Sequence, residues 1–131
     1  MIAVDTNVLV RFLVDDDPAQ SRRARSLIER HPIRLTNTVI LEAAWVLSSI
    51  YGFDRARILV ALTDVLGLEH VTPDDPSAVA QALAWFEAGL DFADALHVAA
   101  SHPATRFATF DERLLRNAAR AGIARVRPVP R

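Results

Sequence analysis

Short β-prone apolar runs alternate along this chain with longer stretches whose apolar residues return every three or four positions. Ile2-Ala3-Val4 predicts a buried opening strand, and Asp5-Thr6-Asn7 supplies capping chemistry for a short helix from Val8 to Val14. Asp15-Asp16-Asp17-Pro18 breaks that helix, and Pro18 suits the first turn of the next. From Ala19 to Arg30, Ala24, Leu27 and Ile28 oppose an arginine-rich face, as in a surface amphipathic helix. Ile33-Arg34-Leu35 predicts a second strand. A strongly apolar helix follows from Val39 to Tyr51, with Thr38 as its cap and Gly52 just beyond.

The alternation continues to the end. Asp54 caps a helix through Leu66, Glu69 to Thr72 is a weak strand, and Ser77 to Ala88 is a helix stopped by Gly89. Asp91 to Ser101 is helical, Arg106 to Thr109 extended, Asp111 to Ala121 helical, and Arg125-Val126-Arg127 extended. Strands that alternate with helices imply an α/β sandwich around a mostly parallel sheet. With 131 residues and no internal repeat or linker, a single domain over 1–131 is expected.

Composition narrows the chemistry. Cysteine is absent, which removes disulfides, thiolate metal sites and thiol nucleophiles. All fifteen basic residues are arginine, so a P-loop ATPase, a Schiff-base enzyme and other lysine-dependent mechanisms are excluded. The formal charge of −1 gives no global field to attract phosphate, so a nucleic-acid site must be a local patch or recruit phosphate through metal ions. No basic segment precedes an apolar run at the N-terminus, and no apolar run could span a bilayer, so a cytoplasmic protein without a membrane role is expected.

Three carboxylates stand in apolar company: Asp5, Glu42 within Val39–Leu47, and Asp94 within Phe92–Leu96. An unpaired buried carboxylate costs several kcal/mol, so such groups call for a cation, and no arginine lies within a helical turn of Glu42 or Asp94. A divalent ion is the economical partner. Plainer readings exist for several of them. Asp5 and Asp111 can be helix caps, Asp91 with Asp94 a cap and its third-position partner, and Glu42 can meet a distant arginine. Asp91, Asp94 and His97 share a helical face by spacing. His97 could bond a carboxylate, although a packed histidine is the more common case. Oxygen-only donors favour Mg²⁺ or Mn²⁺ over zinc or copper.

Ile2-Ala3-Val4-Asp5-Thr6-Asn7-Val8-Leu9-Val10 resembles the opening strand and turn of PIN domains. Leu41-Glu42, Asp91-Phe92-Ala93-Asp94-Ala95-Leu96-His97 and Ala108-Thr109-Phe110-Asp111 resemble the later acidic motifs of that family, in order and approximate spacing. Size, with Arg11-Phe12-Leu13-Val14 and Asp16-Asp17-Pro18, is most similar to VapC-type toxins. The resemblance implies a PIN-like three-layer sandwich and a shared acidic pocket. In it Asp5 and Asp94 would be metal ligands, completed by Glu42 and Asp111, with Asp91 a possible extra member and Thr6, Asn7 and Thr109 orienting ligands. It also implies hydrolysis of RNA phosphodiesters with Mg²⁺ or Mn²⁺, a homodimer, and a small antitoxin partner. Arg11, Arg22, Arg23 and Arg25 are candidate phosphate contacts, though a solvated helix face explains any one of them.

Rival readings differ in class. A metal-dependent phosphatase also opens with an aspartate after a strand, but position 7 is Asn7 and lysine is missing. A non-catalytic PIN-like module could use the pocket for a structural metal or a partner's arginine.

Overall fold

A computed structural model describes residues 1–131, which divide into two compact units, Met1–Pro76 and Ser77–Arg131. The first contains β1 (Ile2–Ala3), α1 (Thr6–Leu13), α2 (Pro18–Arg30), β2 (Ile33–Leu35), α3 (Asn37–Ser49), α4 (Arg55–Leu66) and β3 (Val71–Pro73). Its sheet runs in the order β1-β2-β3, all parallel, with Ile2 opposite Ile33 and Ile33 opposite Val71. Parallel neighbours need helical crossovers, and the intervening helices supply them.

The turns explain why helices begin where they do. Asp17 accepts the Gln20 N–H at 3.1 Å with Pro18 in the first turn, and Asp54 accepts the Arg57 N–H at 2.8 Å. The third helix starts earlier than expected: Thr36, not Thr38, is its cap, its Oγ1 accepting the Val39 N–H at 3.3 Å. The Thr38 hydroxyl instead hydrogen-bonds that of Thr36 at 3.2 Å. Gly52, at φ 68°, turns the chain after α3 in the left-handed region that glycine adopts without penalty.

A polar clamp ties α1, α2 and the end of α3 together. Arg11 donates from Nε to Gln20 at 2.8 Å and from Nη1 to Asp16 at 3.1 Å and the Tyr51 hydroxyl at 2.9 Å. Tyr51 in turn donates to Asp16 at 2.8 Å. The Tyr51 hydroxyl, then the Arg11 charge, hold the Asp16 carboxyl below its usual range. Asp16, in the stretch that breaks the first helix, is thus a structural fastener. Beneath it, Leu9, Ile28, Ile40, Leu47 and Leu62 are wholly buried.

The second unit holds most of α5 (Pro76–Glu87), then α6 (Phe92–Ala100), β4 (Phe107–Thr109), α7 (Glu112–Arg120) and β5 (Val126–Pro128). β4 and β5 pair in parallel, Phe107 opposite Val126. Phe86 meets Phe92 edge to face at 5.6 Å, beside fully buried Leu90 and Val98. Arg125 donates to Ser101 Oγ at 2.6 Å and the Val98 carbonyl at 2.5 Å, fixing the end of α6. Seven helices and five strands in all-parallel ladders give the α/β class expected from the sequence. The hydrogen-bonded strands fall into a three-stranded and a two-stranded sheet. No helix is long and apolar enough to cross a membrane.

Leu47 fills the first core with no exposed surface. Leu47→Ala is expected to lower unfolding free energy by about 2–5 kcal/mol, read from urea denaturation.

Candidate active site

Open α/β sheets place their chemistry where strands end and helices begin, because loops there present backbone N–H groups and side chains together. Asp5 follows β1 and caps α1, its Oδ1 accepting the Val8 N–H at 3.0 Å. Asp111 follows β4 and caps α7, its Oδ1 accepting the Arg113 and Leu114 N–H groups at 2.9 and 3.1 Å. Thr109 Oγ1 accepts the Asp111 N–H at 2.9 Å, so the threonine sets the backbone that aims this carboxylate. Each aspartate spends Oδ1 on a helix start and leaves Oδ2 without a hydrogen bond.

Asp94 is different. It is half-buried on the first turn of α6, and no hydrogen bond or ion pair engages its carboxylate. Its own backbone N–H is held at 3.1 Å by Oδ2 of Asp91, the cap of the same helix, which keeps the Asp91 charge close by. Burial first, then repulsion from Asp91 and Asp111, push the Asp94 carboxyl above its ordinary value, against the pull of His97 and Arg113. The second unit therefore brings Asp91, Asp94 and Asp111 into one electrostatic neighbourhood. His97, expected to pack, is exposed and acts there as a nearby charge.

The first unit holds Asp5 and Glu42. Both are exposed, so the burial expected from their apolar neighbours does not occur. The reason is visible in α3: Trp45 is 61% exposed and Ile50, just past its end, 66%, so apolar neighbours in sequence there do not mean a buried face. Glu42 makes no hydrogen bond or ion pair and lies on the open side of α3. Thr6 opens α1 and is half-buried, while exposed Asn7 lines a cleft with Asp5. Asn37 escaped sequence reasoning. It follows β2 as Asp5 follows β1, and its Oδ1 is buried with no hydrogen-bond donor. A buried unsatisfied amide oxygen costs about 1–3 kcal/mol. The visible signal was a strand leading into Thr36-Asn37, much as β1 leads into Asp5-Thr6-Asn7.

No group of three or more His, Cys, Asp or Glu side chains is arranged to hold a metal ion. Mg²⁺ needs fewer protein ligands: it keeps several waters and takes one or two carboxylates together with substrate phosphate. The donor set of the second unit fits that requirement, since Asp94 is unpartnered and crowded by like charge that a divalent cation would relieve.

The crowding has a sign that can be measured without metal. A carboxyl with a raised folded pKa penalises the fold once ionised. The penalty is absent below the unfolded value, about 3.9, and complete above the raised folded value. Metal-free Asp94→Asn is therefore expected to melt higher than the parent at pH 7. The gap should close as pH falls through the raised value and vanish in more acid solution, as read by thermal denaturation.

The sequence pattern of the PIN domain family matches residues 2–120 of the 131. No curated protein and no solved structure matches the chain. The matched span runs through both compact units and takes in Asp5, Glu42, Asp91, Asp94 and Asp111; the chain belongs to the PIN domain family.

Proposed function

We propose that this protein is a Mg²⁺- or Mn²⁺-dependent endoribonuclease and, within that activity, the toxin of a type II toxin–antitoxin pair. Membership of the PIN family supports the nuclease class, since PIN domains are typically metal-dependent nucleases. The observation that carries the reading is Asp94, a half-buried carboxylate without a partner beside two further carboxylates. Such a group destabilises the empty fold and is stabilised by a cation, the pattern of a residue kept for function.

Asp94, with Asp91 or Asp111, would hold the ion in the second unit. In the first unit Asp5, at the end of β1, would be the candidate ligand. When bound, the ion supplies positive charge that acidifies water and offsets charge gathering on the phosphate. Thr109 holds Asp111 on line through its N–H. On the family likeness, Glu42 or Asp111 would accept a proton from the attacking water. Arginines supply the phosphate contacts that the near-neutral net charge cannot. The toxin role, a homodimer and an antitoxin that covers the carboxylates rest on likeness to VapC-type toxins, and a cytoplasmic setting on the sequence expectation alone. A second reading has one observation in its favour: without a closed three-ligand group, the pocket could serve a non-catalytic module that receives a partner's arginine.

Incubation with single-stranded and structured RNA in Mn²⁺ separates the two. Cleavage is expected to require the metal and to stop with EDTA. Asp94→Asn removes a ligand worth several kcal/mol of transition-state stabilisation, a loss of more than about 100-fold in rate. Thr109→Ala, which only loosens Asp111, is expected to lose about 10–100-fold. Cleavage that survives chelation or Asp94→Asn rejects the metal mechanism, and metal binding without turnover favours the module. Growth arrest on expression, relieved by Asp94→Asn, tests the toxin role.

A further inference from the structure

Between α1 and α2 lies a cavity of about 420 Å³ lined by Asp5, Asn7, Arg11, Gln20 and Arg23, with an apolar wall that includes Leu27. Its volume is in the range of ligand clefts, about 300–1,000 Å³. We propose that it is a phosphodiester-binding subsite for single-stranded RNA, and that Arg23 is its phosphate contact. The proposal rests on the ribonuclease reading.

Four arginines of the first unit compete for this role, and their surroundings separate them. Arg11 is committed to Gln20, Asp16 and Tyr51. Arg25 is paired with Glu29 at 3.3 Å and sits 5.2 Å over the Phe12 ring. Arg22 is exposed and lies off the cavity. Arg23 lines the cavity, is exposed, and makes no hydrogen bond or ion pair within the chain. It is the one cation of the four with donors to give and a cleft to give them into. The clamp around Arg11 makes the opposite wall rigid, so little ordering cost falls on binding.

Charge sets the polarity of the cleft. Asp5 repels a phosphate and Arg23 attracts it, so the anion seats at the Arg23 end with the Asn7 amide available as a second donor. The chain of the RNA then leads from there toward Asp5, the residue at the end of β1. The Leu27 side offers a surface for a ribose or base face.

The test is salt-dependent binding of a fluorescent single-stranded RNA in EDTA, where cleavage is suppressed. A phosphate contact contributes about 0.7 to the slope of log affinity against log salt on a single strand. Arg23→Ala is expected to lower the slope by about that amount and weaken binding about tenfold at low salt. Arg22→Ala, which removes the same charge next door, keeps the parent slope. Equal shifts in both variants, an unchanged slope in Arg23→Ala, or no RNA binding by the parent overturns the proposal. So does loss of binding to an acidic peptide with RNA binding intact, which would make the cleft a protein-docking site. Circular dichroism of each variant checks that it is folded. Cleavage in Mn²⁺ is scored separately. A parent that binds with the Arg23-dependent slope but never cuts sinks the nuclease reading alone. A parent that cuts with an Arg23-independent slope sinks only the subsite.

Discussion

Aspartate at the first turn of a helix is the constraint on which the rest of this structure hangs. Five of the seven helices are capped by one: Asp5, Asp17, Asp54, Asp91 and Asp111. A helix start leaves several N–H groups without partners, and a carboxylate both accepts from them and answers the positive end of the helix dipole. Because short parallel strands feed helices, the same interaction recurs where the chain leaves β1 and β4. Asp5 and Asp111 stand at those two exits, Asp91 just ahead of α6. Three of the residues that fasten the fold are thus also among the proposed oxygen ligands.

Asp94 breaks this economy. It caps nothing and pairs with nothing, yet it is half-buried next to two like charges. Local propensity, packing and capping agree almost everywhere else, so the disagreement at this position stands out. The structure around it supplies counterweights of modest reach: His97 and Arg113 act on it through space and do not bond it. Stability is given up at one point of an otherwise well-satisfied helix start.

Most of the architecture was legible because strand length, helix period and stop signals coincide. Ile33–Leu35 is bounded by Pro32 and a threonine cap, and Gly52, Gly89 and Gly122 mark places where φ turns positive. What sequence could not fix were matters of facing. Thr36 and Thr38 are both good caps, and only the position of Leu35 in the sheet decides for Thr36. Glu42 seemed enclosed because its neighbours are apolar, yet a helix may keep a tryptophan on its open face. The Arg11–Asp16–Tyr51 clamp joins residues up to forty positions apart, and no local rule pairs them. Asp91, Asp94 and Asp111 as a charge cluster were half visible: the first two through helical spacing, the third only once β4 and α7 were in place.

The double duty of the capping aspartates also bears on how such a protein could change over generations. Asparagine accepts the same backbone N–H groups nearly as well as aspartate does, and a single base change in the codon converts one into the other. At Asp5, Asp91 or Asp111 that step would leave the helix start intact while erasing a negative oxygen. A descendant that keeps its shape but has lost a proposed metal ligand is therefore a short mutational walk away, with no unfolded intermediate to weed it out.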